Sequence, residues 1–266
     1  MNETLRVIDE RTSVRTFADR PVTDQDLAAL YRSAVRAPTA GNMMLYSIVH
    51  VEDASIRRRL AETCGHAFIA TAPLVFVFLA DMQRWAGYFE AFEVPEYCKQ
   101  TGIPLRAPDV GKFVMACCDA LIAAQTTVLA AESLGMGSCY VGDIVGHGEE
   151  HRALLCLPRW TFPVALLCYG YLPDGLERVP QERFALKNVL HQDVYRRLKR
   201  ADYEEMMAPI RERFAEVLDR KGLTLPQPTY RNFMLSDAAI DVSRSVRAYL
   251  AAWMEPVSSP QEGEES

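Results

Sequence analysis

Residues 113–131 form an almost unbroken apolar run whose main polar interruptions are Asp119, Gln125, Thr126 and Thr127. A helix that is apolar on every side is either a membrane span or the buried centre of a fold. The length of the run would admit a span. Asp119 and the polar trio make burial in lipid costly, and there is no second such segment and no flanking positive bias. We therefore expect a central core helix and no membrane partner. The chain has 266 residues, 49% of them hydrophobic, enough for one substantial core. A helix buried all round in a chain of this size implies that a second subunit covers one of its faces.

The flanking sequence supplies the layers. Thr23 followed by Asp26 resembles a capping box, and Leu27, Leu30, Tyr31 and Ala34 recur at helical spacing, which predicts a helix over 24–36. Pro38 should stop it at Ala37. Residues 45–51 read as a strand, after which Asp53 caps a short helix that Gly65 can end. Residues 73–80 are a continuous apolar run rich in aromatic and β-branched side chains, the pattern of a central strand covered on both faces. Gly135 and Gly137 are expected to end the long helix, with further strands over 138–145 and 163–171.

After Pro173 the character changes. Residues 174–198 are polar and turn-rich, 203–220 read as a helix despite Pro209, and 236–254 as another. Their apolar stripes are too narrow for a core of their own. The expected organisation is a main domain over 1–198, a helical arm over 199–255 packed on that domain or on a partner, and a disordered acidic tail over 256–266.

The formal net charge of −6 argues against nucleic acid as a partner, which would call for a basic face. The first residues are charged and mixed, without an apolar signal core, so the expected location is cytoplasmic. Seven cysteines lack C-x-x-C spacing and lie in segments that read as core, which favours buried thiols over a disulfide framework or a zinc cage.

Three segments carry chemical signals. Arg11, Ser13 and Arg15 alternate, with Thr12 and Val14 between them, and on an extended segment they share one face. Two guanidinium forks beside a hydroxyl suit a phosphate dianion, although the pattern alone also fits a solvated basic loop. Residues 36–42 form a turn-rich loop whose Thr39 and Asn42 could line a heterocycle. Residues 134–144 run from a helix end into an apolar strand that reaches Gly142, where the lack of a side chain lets a planar ligand approach the backbone. The spacing is neither a dinucleotide fingerprint nor a phosphate-binding loop.

Taken together, R-x-S-x-R near the start, A-P-T-x-x-N after the first helix, the long helix closing with A-A-E-S-L-G-M-G, and the strand with G-D-I resemble the nitroreductase family of FMN enzymes. The resemblance covers roughly residues 5–198 and is closest to the larger, NADPH-preferring nitroreductase and flavin reductase branch. It implies an α+β fold, a mixed, mainly antiparallel sheet wrapped by helices, in an intertwined homodimer with flavin at the interface. It also implies an NAD(P)H-dependent oxidoreductase that uses NADPH or NADH and works by a ping-pong mechanism on a small-molecule electron acceptor such as a nitroaromatic, a quinone or a flavin.

Carried over by position, Arg11, Thr12, Ser13 and Arg15 match the family's phosphate and ribityl site. Pro38, Thr39 and Asn42 match the loop that reaches the flavin from the partner subunit. Tyr140, Val141, Gly142 and Asp143 match the strand end whose backbone amide donates to flavin N5, and Arg183 matches a second phosphate-binding arginine. Gln181 stands where the family often has a basic residue, and Thr71 where it commonly has an amide facing the flavin pyrimidine. Both departures bear on flavin affinity. No catalytic side chain is implied.

Residues 83–112 carry Trp85, Tyr88, Phe89, Phe92, Tyr97 and Arg106, as either a lid for flat substrates or a surface excursion. Arg211, Arg213, Arg220 and Lys221 could meet a 2′-phosphate or form a solvated helix face. Two other functions stay open: a flavin-binding sensor or storage protein without turnover, and a zinc hydrolase using the literal H-x-x-E-H of His147 and His151.

Overall fold

The computed structural model describes residues 2–255, and the expected acidic tail over 256–266 lies outside them. Two compact units are present: Val179–Ile240, and the described residues on either side of it. The expected break at residue 198 therefore falls inside the second unit.

The first unit is built on a sheet of four strands in the order β1-β2-β4-β3, every neighbouring pair antiparallel. Strand β1 is Tyr46–His50, β2 Leu74–Asp81, β3 Met136–Val141 and β4 Thr161–Tyr171. The one parallel pairing is an isolated bridge between Ser13 and Ser138. Helices α1 (Glu3–Glu10), α2 (Asp24–Val35), α3 (Ala54–Thr63), α4 (Phe68–Thr71), α5 (Gln83–Ala91), α6 (Val94–Thr101), α7 (Val110–Ser133) and α8 (Gly148–Leu154) complete the unit, apart from the last helix.

Strand β2 is buried at every position, and its alternation explains why it reads as a continuous apolar run. Leu74, Phe76 and Phe78 pack with α2 and α7 through Leu30, Ala120, Ala123 and Val128. Val75, Val77 and Leu79 pack on the other face with Leu60 of α3 and Ile69 of α4. Thr23 caps α2 by accepting from the Asp26 amide (3.2 Å), and Asp53 caps α3 by accepting from Ser55 (2.7 Å) and Ile56 (3.0 Å).

Helix α7 is, among the described residues, the helix long and apolar enough to cross a membrane. It instead forms one wall of this core. Within the single chain it is enclosed on one side only: Phe113, Ala116, Ala120, Ala123, Ala124, Val128 and Ala131 face inward, while Val114 (54% exposed) and Leu121 (45%) lie open with Met115 and Ile122, a face of the kind for which a covering subunit is expected. Gly135, at φ 74°, ends the helix. Gly137 already belongs to β3, and that strand stops at Val141 instead of continuing to 145, because Gly142–Val145 turns into a short 3-10 helix.

The second unit holds α9 (Arg200–Arg213), α10 (Ala215–Lys221) and α11 (Pro226–Leu235). The single helix expected over 203–220 is broken at Phe214, whose amide is shared between the Ile210 and Arg211 carbonyls at 3.2 Å each. Helix α11 was not expected at all; it opens with Pro226 and Pro228, and its apolar stripe is limited to Tyr230, Phe233 and Met234. Helix α12 (Asp237–Met254) starts at the end of this unit and runs on into the first. There Trp253 and Tyr249 are buried with Phe113 and Phe162, so the end of this helix packs into the core of the first unit.

Two glycines seat the N-terminal segment. Gly137 of β3 is the register partner of Gly170 of β4. A Cβ at Gly137 would lie 2.6 Å from Val14 Cγ2, and one at Gly170 would lie 2.8 Å from Phe17 and from Pro73. The bare backbone on this face of the sheet is what lets residues 13–17 lie against it. Gly137→Ala should therefore lower stability by about 1–3 kcal/mol, read as a lower urea midpoint at unchanged slope. An unchanged midpoint would mean that Val14 moves aside freely.

Candidate functional site

The strip from Arg11 to Arg15 follows the end of α1 as extended chain along the β3 edge, where the Val14 amide donates to the Ser138 carbonyl at 2.9 Å. Alternation does the rest. Val14 is buried, 4% exposed, against Gly137, whereas Ser13 and Arg15 are exposed and Arg11 is half-buried. Among the described residues neither Arg11 nor Arg15 makes a side-chain hydrogen bond or an ion pair. Both guanidiniums act on Cys139: burial raises its thiol pKa, and the two positive charges oppose that rise.

Thr12 faces inward. Its hydroxyl accepts from Arg178 Nε (3.1 Å), and Arg178 Nη2 donates to Glu132 at 2.7 Å. The Glu132 side chain is 3% exposed and its second oxygen has no partner. Burial raises its pKa, against the opposing charges of Arg178 and Arg11. Sequence reasoning missed Arg178 and treated Glu132 only as part of a motif.

At the far end of β3, Tyr140 is partly exposed, and its hydroxyl donates to Gln125 of α7 at 3.4 Å. Burial of the phenol pushes its pKa up to about 12. Val141 is buried and Gly142 is exposed, with open space where a Cβ would stand. The next residue, Asp143, meets Nε2 of His66 at 3.1 Å. Nothing in the local sequence marked His66, since the turn between α3 and α4 reaches Asp143 only through the fold.

The loop of Pro38, Thr39 and Asn42 runs from α2 to β1. Asp119 of α7, 3% exposed, lies beneath it and accepts from the Thr39 hydroxyl and from the amides of Ala40 and Leu45, each at 3.1 Å. Asn42 is exposed at the tip. From α5, Arg84 donates to the Met44 carbonyl (2.9 Å) and the Trp85 indole to the Met43 carbonyl (2.9 Å). Residues 83–112 thus hold two short helices, the first tied to this loop, with Tyr88, Phe89, Phe92 and Tyr97 exposed.

Thr71 is exposed at the end of α4 and lines, with Arg15, Phe17, Arg57 and His50, a cavity of about 930 Å³. None of the other carried-over residues lines that cavity. Arg183 is exposed in the second unit. In that unit Arg213 already faces Glu182 at 3.7 Å.

The zinc reading fails on geometry. His147 stands outside α8 as a left-handed residue (φ 49°). His151 is fully buried, with Nδ1 at 2.8 Å from the Ile144 carbonyl and Nε2 at 2.8 Å from the Thr63 hydroxyl. Burial lowers its pKa and keeps the ring neutral, so Nδ1 donates, Nε2 accepts, and no lone pair remains for a metal. No cluster of three metal-ligating side chains occurs among the described residues. All seven cysteines are free thiols, Cys118 and Cys156 being exposed and not in the core as expected.

An exposed strip with two uncommitted guanidiniums, a glycine-opened strand end and a braced loop are thus carried by one unit, in the order the sequence motifs had suggested. The family model for the nitroreductase family matches residues 8–171. The chain belongs to the nitroreductase family.

Among curated members, it is 29% identical over 196 residues to the FMN reductase [NAD(P)H] of Bacillus subtilis, covering 73% of this chain and 75% of that protein. It is 27% identical over 231 residues to the oxygen-insensitive NADPH nitroreductase of Salmonella typhimurium, covering 86% and 88%. The solved structure of nitroreductase A from Vibrio parahaemolyticus has the same fold, with a TM-score of 0.78 at 24% identity over 95% of this chain and 98% of that one.

The Glu132 cluster yields a test. Arg178→Met leaves a buried carboxylate without its cation, at a cost of about 3–5 kcal/mol near neutrality. The folded-state pKa of Glu132 is raised, so the folded chain holds that proton more tightly than the unfolded chain, and stability contributed by protonation grows as pH falls through that raised value. The gap between wild type and variant should therefore narrow as the pH falls from neutrality into the acid range in urea denaturation. A gap of constant size would assign the loss to packing instead of charge.

Proposed function

We propose that the chain is an FMN-dependent NAD(P)H oxidoreductase, acting as a cytoplasmic homodimer that reduces small acceptors of the nitroaromatic, quinone or flavin class by a ping-pong mechanism. The observation that carries this reading is the outward face of Arg11, Ser13 and Arg15, where two guanidiniums without an intramolecular anion flank a hydroxyl. That donor set fits a phosphate ester: both forks keep their charge at any working pH and match the anion's oxygens. The names of the relatives point to the same cofactor and the same electron donors.

Bound flavin mononucleotide supplies the electron-transfer chemistry, and the chain supplies binding and orientation. Arg11 and Arg15 hold the phosphate and Ser13 donates to it. The open approach at Gly142 admits a flat ring system to the backbone of 140–143, while Thr71 offers one hydroxyl where an amide could give more. Arg183 is a further phosphate ligand in this reading. Pro38, Thr39 and Asn42 serve the site of the partner subunit.

A second copy is supported by two apolar surfaces: the open side of α7, and the second unit, where Leu218 is the buried hydrophobic residue and Tyr203, Phe214, Tyr230 and Phe233 are exposed. Members of an apolar set this large need a cover, and a symmetric partner provides one.

The purified protein should be yellow and should bleach when NADPH is added under argon. Arg15→Ala, which removes one charged donor, should weaken FMN binding by about tenfold or more, measured by flavin fluorescence titration. A colourless preparation that takes up no added FMN overturns the proposal, and unchanged affinity in the variant removes Arg15 from the site.

A further inference from the structure

Three of the four residues from Gly41 to Met44 have left-handed backbone: Gly41 (φ 58°), Asn42 (φ 58°) and Met44 (φ 49°). Glycine adopts this conformation freely, asparagine tolerates it, and methionine does so only when its surroundings impose it. The surroundings here are specific. Asp119 accepts from Ala40 at one end of the loop and from Leu45 at the other, so a single buried carboxylate spans it. The Thr39 hydroxyl donates to the same carboxylate and accepts from the Met44 amide at 2.8 Å, which connects the carboxylate to the strained residue itself. Arg84 and Trp85 hold the outer carbonyls.

We propose that Asp119 is the positioning residue for this loop: it fixes the left-handed residues Gly41, Asn42 and Met44 and thereby presents Asn42 to the cofactor. The inference rests on the functional reading above, in which Pro38, Thr39 and Asn42 serve the flavin. Asp119 itself touches no ligand and acts through Thr39 and the loop backbone. A carboxylate suits this task because it offers several acceptor sites to convergent donors, and a buried charge that receives them all cannot be released without leaving itself unpaired. An amide of the same shape keeps one oxygen and turns the other acceptor into a donor facing donors.

The test has two arms on the full-length protein. In the first, hydrogen exchange of the peptide spanning 39–45 should speed up by about tenfold or more in Asp119→Asn, and Thr39→Val should move the same peptide in the same direction. In the second, FMN released on dilution of the holoprotein, followed by flavin fluorescence, should leave Asp119→Asn about tenfold faster or more.

Adding Met44→Gly to Asp119→Asn should then return the release rate towards the wild-type value, because glycine removes the steric cost that Asp119 otherwise overcomes. A merely structural carboxylate would not be rescued in this way. Unchanged exchange in both single variants, or faster release that Met44→Gly does not correct, overturns the proposal. Wild-type protein that carries no FMN defeats the functional reading instead, while the exchange arm still decides whether Asp119 holds the loop.

Discussion

A polar group on a buried apolar helix must find a partner or cost stability, and on α7 several such groups reach out to the segments that carry the site or to the sheet behind it. Asp119 holds the loop from Thr39 to Leu45. Thr127 meets the buried Tyr169 hydroxyl of β4 at 2.6 Å and ties helix to sheet. Glu132 takes Arg178, which in turn holds Thr12 and the strip that follows. Gln125 accepts from Tyr140 at the strand end. Asp119 and Gln125, two of the polar residues that make α7 a poor membrane span, are thus contacts through which it meets the candidate site. Replacing them with apolar residues would make a better core and a worse enzyme.

The sheet contributes the complementary constraint. The strip at 11–15 is held by backbone pairing to Ser138 and by a groove that exists only because Gly137 and Gly170 face each other without side chains. With Thr12 and Val14 turned inward, the direction of Arg11 and Arg15 is set by main-chain geometry and not by their own long, flexible side chains. This is how two arginines can remain in place without a carboxylate to hold them, and it lowers the entropy lost when an anion binds.

Much of this was legible in the sequence, and the failures share a cause. The continuous run at 73–80, the capped helix at 24–36 and the alternation at 11–15 are local patterns with one physical solution, and each formed as expected. For the long helix, composition alone could not say which of its faces the chain itself covers and which it leaves open. The strand after Ser138 was drawn too long because Ile144 and Val145 are apolar in a 3-10 turn for the same reason that they would be in a strand: both pack inward. Helix α11 opens with two prolines that masked its short stripe of Tyr230, Phe233 and Met234, and the seat of α12 depends on Trp253 and Tyr249, contacts between residues far apart in sequence. His66 and Arg178 became visible only once turns distant in the chain met β3 and α7. Asp119 had a signal: a lone acid in an apolar helix requires buried donors, and the turn-rich loop at 36–42 is the nearest segment with donors to offer. The H-x-x-E-H pattern failed because a pattern of residue types says nothing about lone pairs already in use.

The acidic character of the chain raises a last question, since a net charge of −6 should repel a phosphate. Range decides it. At physiological ionic strength charges more than about 8 Å away are largely screened, so distant carboxylates contribute little at the strip. On the strip itself the charged side chains are Arg11 and Arg15, while the buried Glu132 is paired with Arg178 and its burial raises its affinity for a proton. The strip is positive although the chain as a whole is negative. If Arg178 were lost, Glu132 would turn to Arg11 as its nearest remaining cation, so the buried ion pair does more than stabilise the end of α7: it keeps the outward-facing arginine free for its anion.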